Sequence, residues 1–417
     1  MAQTTGPSIC SSWTGSIGIF LILLLGIAIT ACAQNPALYS PGDDQLDAEP
    51  FSDFADYQNR ARAYLEANLT PVEGFPRSDQ VDWNLPFSLP PADHCAEAPE
   101  TGLLLIHGLS DSPFVFRDLA RALSVRCIGV RTLLLQGHGT RPGDMVKASA
   151  DVWREQVRQH MADLAREVDH LFIGGFSLGG ALATEYALSG QQPQVEGIIA
   201  LAPAWRLNGL DDYLWLAGIA DLFADFVEEE PELNPVKYES VTLNAGSQLA
   251  DVLGQTQRLL EQPAAPLPPL FLVATEADSV IDLGYLVQTF RQRFRHPDNR
   301  MLVFRDLRKP WPDNWADPRI QSLDSYLPEE NILEFSHQAL AIAPDNELYG
   351  RGAPLQRCVE PNNLTLAECR KLPAGQLWFS AWHDDPRPVP TSRLTYNPWF
   401  DVLSGHMAAF IRRQTPH

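Results

Sequence analysis

The chain has 417 residues, with 31 Lys and Arg against 52 Asp and Glu, for a formal charge of −21. So acidic a surface argues against a nucleic-acid partner, whose phosphates need a basic face, and it repels an anionic lipid surface. All of the charge lies beyond residue 31, and 45% of the residues are hydrophobic, enough for a large buried core.

From Ile17 to Thr30 the chain is apolar and carries no charge. The run is short for a membrane-spanning helix and right for the apolar core of an export signal. It ends in Ile29-Thr30-Ala31-Cys32, which resembles the lipobox of bacterial lipoproteins. That resemblance implies a signal peptide over residues 1–31, cleavage before Cys32 and a lipid anchor on the Cys32 sulfur. A short uncleaved hydrophobic anchor is the other reading. Ala33 stands where an aspartate would resemble an inner-membrane retention signal, so the expected home is the outer membrane, facing the periplasm. Residues 32–90 read as a tether and N-terminal extension. The polar, acidic stretch from Gln34 to Pro50 is expected to be flexible, and Phe54–Asn68 to be a helix before a Pro-rich connector to Pro91.

Gly102-Leu103-Leu104-Leu105-Ile106 reads as a buried strand and ends in His107-Gly108-Leu109-Ser110-Asp111-Ser112-Pro113. A glycine turn at a strand end lets a backbone N–H approach a substrate, which a developing oxyanion requires. A helix over Phe114–Leu123 leads to apolar Cys127–Leu135, then to Gln136-Gly137-His138-Gly139-Thr140 with Arg141-Pro142. His107 and His138 read as hydrogen-bonding supports of their turns. A helix over Asp151–Val168, opening on Asp151-Val152-Trp153, precedes a strand at Leu171–Gly174. That strand feeds Gly175-Phe176-Ser177-Leu178-Gly179, and a helix over Gly180–Ser189 follows. G-x-S-x-G between strand and helix exposes a serine on a turn so sharp that small residues must flank it. The N–H groups of Leu109 and Leu178 are the expected oxyanion donors.

Together these segments resemble the α/β-hydrolase superfamily, and within it the bacterial carboxylesterases and monoacylglycerol-lipase-like enzymes. The likeness is good over Gly102–Leu201 and loose beyond. It implies a mostly parallel sheet flanked by helices, a cap after the sixth strand, an ester or lipid substrate and no cofactor. Further apolar runs at Gly197–Leu201, Leu270–Ala274 and Met301–Phe304, alternating with helical stretches, support a parallel α/β sheet independently. The hydrolase domain is therefore expected over residues 91–417, with the cap at about 205–262. The cap segment holds Tyr213-Leu214-Trp215-Leu216, Leu222-Phe223 and Glu228-Glu229-Glu230-Pro231. Its aromatics form either a lid for an acyl group or a helical decoration packed on the sheet.

A serine nucleophile needs a histidine base, itself oriented by a carboxylate. In this fold they follow in the order Ser, Asp or Glu, His. The strand at Leu270–Ala274 runs into Thr275-Glu276-Ala277-Asp278-Ser279-Val280-Ile281-Asp282. The family places its acid just before an apolar pair, which points to Asp278, with Glu276 and Asp282 as alternatives. His296 precedes Met301–Phe304, the last expected strand. His337, in Glu334-Phe335-Ser336-His337-Gln338-Ala339, follows it and resembles the family pattern. His383, in Trp382-His383-Asp384-Asp385, is the alternative, and His406 falls in the closing helix, Phe400–Ile411. A Trp- and Pro-rich excursion, Lys309–Leu327, must loop out between acid and base.

Beyond the export segment four cysteines remain. In an oxidising compartment they permit two bridges, Cys358 to Cys369 across a short loop and Cys95 to Cys127 at a strand entry. No metal site is expected, because the chain lacks H-E-x-x-H and the cysteines lack zinc spacing. Two other classes stay open: a non-catalytic envelope lipoprotein serving as a binding or assembly factor, and a peptidase on the same fold.

Overall fold

The structure is a computed structural model that describes residues 36–95, 100–209, 225–262, 267–356, 358, 361, 364–382 and 389–415. Cys32 with the export segment, the cap aromatics at 213–223 and His383 lie outside the described residues.

Three helices open the described chain: α1 (Pro36–Tyr39), α2 (Phe54–Asn68) and α3 (Arg77–Asn84). Strands and helices then alternate: β1 (Ser88–Leu89), β2 (Thr101–Ile106), α4 (Arg117–Ser124), β3 (Gly129–Thr132), α5 (Ala150–Leu164), β4 (His170–Phe176), α6 (Leu178–Leu188) and β5 (Gly197–Leu201). A small antiparallel pair, β6 (Phe226–Glu228) and β7 (Val241–Thr242), leads to α7 (Leu243–Glu261). Next come β8 (Leu270–Thr275), α8 (Leu283–Arg293), β9 (Arg300–Arg305) and β10 (Ile320–Asp324). The last elements are α9 (Leu366–Lys371), β11 (Trp378–Ser380), β12 (Thr391–Arg393) and α10 (Phe400–Gln414).

The eight-stranded sheet runs β1-β3-β2-β4-β5-β8-β9-β10, with every neighbour parallel except the edge pair β1·β3. Every residue of β2, β5 and β8 is buried, as strands covered on both faces must be, and their sequences are near-continuous apolar runs for that reason. After β2 the chain moves to β3 on one side and returns to β4 on the other. That reversal opens a crevice at the carboxyl ends of β2 and β4, the place where open α/β sheets bind ligands. Among the described residues no helix is long and apolar enough to cross a membrane.

Three expectations need correction. The sheet does not end at Met301–Phe304, because β10 lies inside the expected excursion and pairs in parallel with β9 from Ile320↔Met301 onward. Pro36–Pro50, expected as a flexible tether, is docked on the body. Leu46 is buried, Gly42 N–H donates to Asp144 Oδ1 at 2.7 Å, and Tyr39 O–H donates to Glu230 O at 2.9 Å. Asp144 is fully buried and needs donors, and this polar strap supplies them. Finally, the second half of the expected cap is α7, a flanking helix packed on α6, with Thr256 Oγ1 donating to Ala181 O at 3.4 Å.

The helix α2 joins the core as well. Asp53 caps it by accepting from Asp56 N–H at 2.9 Å, and Phe54, Tyr57, Ala61, Tyr64 and Leu65 form its buried stripe.

Candidate active site

The turn from β4 to α6 holds Ser177 at φ 53, ψ −116, a conformation that L residues rarely adopt. Two backbone bonds keep it there, Ser177 N–H to Leu201 O at 3.0 Å and Ala204 N–H to Ser177 O at 2.9 Å. Gly179 is obligatory, because a Cβ there would lie 1.8 Å from Ile106 O. That close approach seats the start of α6 on the end of β2 and brings Gly108 beside the serine, its Cβ position 3.4 Å from Ser177 Cβ. The N–H of Leu109 has no acceptor among the described residues. Leu178 opens α6, where first-turn N–H groups have no intrahelical partner. Two backbone donors thus flank the serine.

Beyond β8, Asp278 turns its buried carboxylate toward His337. Oδ1 accepts from Val280 N–H at 2.8 Å and Ile281 N–H at 2.9 Å, and Oδ2 accepts from His337 Nδ1–H at 2.8 Å. With Nδ1 donating, Nε2 carries the free lone pair. The His337 ring lies against Phe176, centroids 4.7 Å apart, and so next to the serine turn. Its loop is pinned on both sides: Thr275 Oγ1 donates to Phe335 O at 3.1 Å, and Ser336 Oγ to Leu394 O at 2.6 Å. The alternative acids are engaged elsewhere. Glu276 Oε2 accepts from Asp306 N–H at 3.1 Å, and Asp282 caps α8 through Tyr285 N–H at 2.9 Å. His406 belongs to α10.

His107 and His138 are both fully buried and brace the crevice. His107 donates from Nδ1 to Gly108 O at 2.9 Å and accepts from Leu135 N–H at 3.1 Å on Nε2. His138 donates to Gln136 O at 3.1 Å and accepts from Ser110 N–H at 3.2 Å. These bonds need the neutral ring, and burial favours it, lowering His107 well below its usual range and His138 to about 4.

A second carboxylate went unread as a site residue in the sequence. Asp111 is buried two residues past Leu109, and desolvation pushes its pKa up to about 6, against the opposing pull of Lys237, the Ser112 N–H bond and His337. The available signal was an acid three residues past Gly108, set between Ser110 and Ser112. Lys237 has no local signal at all and arrives only through the inserted segment.

Cys95–Cys127 and Cys358–Cys369 are disulfides in the structure. Among the described residues the single cluster with metal-like spacing is His94, Cys95 and Cys127, and a disulfide offers no thiolate ligand. A cavity of about 500 Å³ between Pro90, Gly102, Arg131 and Glu167 opens at the amino ends of the strands, remote from Ser177.

A strained serine at a strand–helix turn over the switch point of a mostly parallel sheet defines the α/β-hydrolase class. Residues 97–242 match the family model described as serine aminopeptidase, S33. A thermostable monoacylglycerol lipase of Bacillus sp. (strain H-257) is 27% identical over 192 residues, 45% of this chain and 75% of that protein. Among solved structures, one from the metagenome-derived lipolytic enzymes LipS and LipT is 22% identical, covering 57% of this chain and 90% of its own, at a TM-score of 0.44. The Paleococcus ferrophilus monoacylglycerol lipase is 18% identical, covering 53% of this chain and 88% of its own, at a TM-score of 0.43. The chain has the α/β-hydrolase fold and is similar to S33 and monoacylglycerol-lipase-like proteins.

Proposed function

We propose that the protein is a serine hydrolase of carboxylic esters, held at the cell envelope by a lipid on Cys32. The observation that supports the catalytic part is a half-buried serine held at φ 53 and an oriented imidazole packed on the residue before it: the His337 ring lies 4.7 Å from that of Phe176, and its Nδ1–H is bonded to Asp278 at 2.8 Å. In this mechanism Ser177 Oγ attacks the ester carbonyl while His337 Nε2 takes its proton. Asp278 holds the tautomer and stabilises the imidazolium, and the N–H groups of Leu109 and Leu178 receive the oxyanion. His337 then protonates the departing alcohol, and water cleaves the acyl-enzyme by the same steps reversed.

The test is labelling of the detergent-solubilised full chain by a fluorophosphonate probe. Labelling is expected in the wild type and absent in Ser177→Ala, with His337→Ala reduced by at least 100-fold in rate, within the range for triad members. A folded wild type that takes no label leaves the non-catalytic lipoprotein as the better account.

The S33 match favours one second reading, a peptidase. It predicts release of N-terminal residues from short peptides faster than hydrolysis of esters. For the anchor, Cys32→Ser is expected to move the protein from the membrane to the soluble fraction, and unchanged fractionation points to an uncleaved helix.

A further inference from the structure

The loop that carries Asp278 is gripped from outside. Asp278 Oδ1 accepts from the N–H groups of Val280 and Ile281, so the carboxylate keeps its aim at His337 only while those two peptide groups keep their orientation. Their partners lie in the stretch that follows β5, at the root of the inserted segment. Asn208 N–H donates to Val280 O at 2.8 Å. The Asn208 side chain donates from Nδ2 to Asp278 O at 2.8 Å and to Ile281 O at 3.0 Å. Leu207 faces Ile281 in an antiparallel bridge, and Asp282 N–H donates to Arg206 O at 3.0 Å. The stretch is itself fixed to the body by buried Trp205, whose carbonyl accepts from Gln257 Nε2 of α7 at 2.8 Å.

Val280 O and the Ile281 N–H belong to one peptide group, which is planar and rigid. Asn208 holds that plane at its oxygen while Asp278 takes its hydrogen, so the plane cannot turn its N–H away from the carboxylate. Asparagine in a loop ordinarily bonds the backbone of its own turn. Asn208 instead reaches carbonyls 70 and 73 residues away, both on the acid loop. It is also exposed, so water would satisfy the same carbonyls in its absence. Its bonds therefore contribute orientation more than global stability. We propose that Asn208 is a positioning residue: it holds the acid loop so that Asp278 keeps His337 in the tautomer and direction that receive the serine proton. The proposal rests on the serine-hydrolase reading and adds to it the residue through which the root of the inserted segment acts on the acid.

Turnover of p-nitrophenyl butyrate by the full chain in detergent tests it. Asn208→Ala is expected to lower kcat about 10-fold with KM within about 2-fold, because the acid acts on the transition state and not on ester binding. Asn208→Asp keeps the shape but sets a carboxylate against two carbonyl oxygens, and it is expected to lose at least as much. The deciding measurement repeats Asn208→Ala in an Asp278→Ala background. The group through which Asn208 acts is then gone, so kcat is expected to change by less than about 2-fold. Gln58→Ala removes a comparable side-chain bond on α2, to Pro86 O at 2.9 Å, and is expected to leave kcat unchanged at a similar denaturant midpoint. Additive losses from Asn208→Ala and Asp278→Ala, or a wild-type kcat in both Asn208 variants, overturn the proposal and leave Asn208 a surface residue. A wild type with no turnover and no fluorophosphonate label is a different result: the hydrolase reading fails, and the proposal falls with it.

Discussion

Ser177 and Asp111 each hold a conformation or an ionisation that the fold would relax if stability were the only demand. At φ 53 a serine carries about 1–3 kcal/mol of backbone strain, part of which glycine relieves. Ser177→Gly is therefore expected to stabilise the protein by about 1 kcal/mol while abolishing turnover, read as a higher denaturant midpoint at unchanged slope. For Asp111 the sign follows from proton binding. Its pKa rises from 3.8 to about 6 on folding, so the folded state holds this proton more tightly than the unfolded chain. Stability from this group is complete at low pH, falls as pH rises from about 4 through about 6, and stays low above that. Two units correspond to roughly 3 kcal/mol, an upper limit that relaxation will reduce. Asp111→Asn should thus be more stable than wild type at pH 7.5, with the gain fading toward pH 4. A mutant less stable at pH 7.5 would mean that the carboxylate contributes to the fold.

At the level of elements, what the sequence revealed follows burial. Strands covered on both faces announce themselves as apolar runs, and β2, β4, β5, β8 and β9 were all legible in that way. Every residue of β10 is half-buried or exposed, so Ile320–Asp324 has neither a run nor an alternation, and the strand passed for part of a loop. The strap at Pro36–Pro50 was hidden for the opposite reason: its polar groups are used by the protein, through Asp144, rather than by water. The strand–helix turn at Ser177 and the meeting of Asp278 with His337 were readable because each of the three residues follows a strand in a set order. Asp111 and Lys237 were not, since the inserted segment alone brings them together. The histidine loop depends on contacts of the same non-local kind. Thr275, at the end of β8, donates to Phe335 O and so ties the acid-bearing strand to the residue two before His337. Thr275→Val keeps the shape and removes the bond. It is expected to cost about 1 kcal/mol of stability and, on the proposed mechanism with His337 as base, to lower kcat by several-fold with little change in KM, because a displaced base weakens the transition state and not substrate binding. An unchanged kcat would show that Asp278 and Ser336 suffice to hold the loop.

Across the whole molecule, one source of pH sensitivity is a set of histidines buried in the neutral form. Burial lowers His107 well below the ordinary value, His138 to about 4 and His160 to about 3. Each folded-state pKa lies below the unfolded 6.5, so their contribution is complete above about pH 6.5 and is lost as pH falls toward 4. Desolvation raises Asp111, Asp118, Asp163, Glu185 and Glu232, which work in the opposite direction over part of that window, while Asp306 and Asp317, lowered by hydrogen bonds from Arg308 and Arg319, act with the histidines. The protein is expected to be less stable at pH 4.5 than at pH 7.5 in denaturant titrations. His160 separates this effect from catalysis. It lies in α5 among the rings of Tyr57, at 4.2 Å, and Phe51, at 4.8 Å, and its Nδ1 is buried without a hydrogen-bond partner. His107 and His138 use both nitrogens, so replacing either would break a turn beside the serine, whereas a phenyl ring fits the aromatic cluster around His160. His160→Phe is expected to gain up to about 3 kcal/mol over wild type at pH 4.5, the equivalent of two pH units below 6.5, and far less at pH 7.5. Because those rings belong to α2 and the segment before it, protonating His160 loosens the N-terminal extension from the body first. Limited proteolysis at pH 4.5 should then cut the wild type within residues 36–57 faster than the phenylalanine variant, and equal cutting rates would place the acid-labile contact elsewhere.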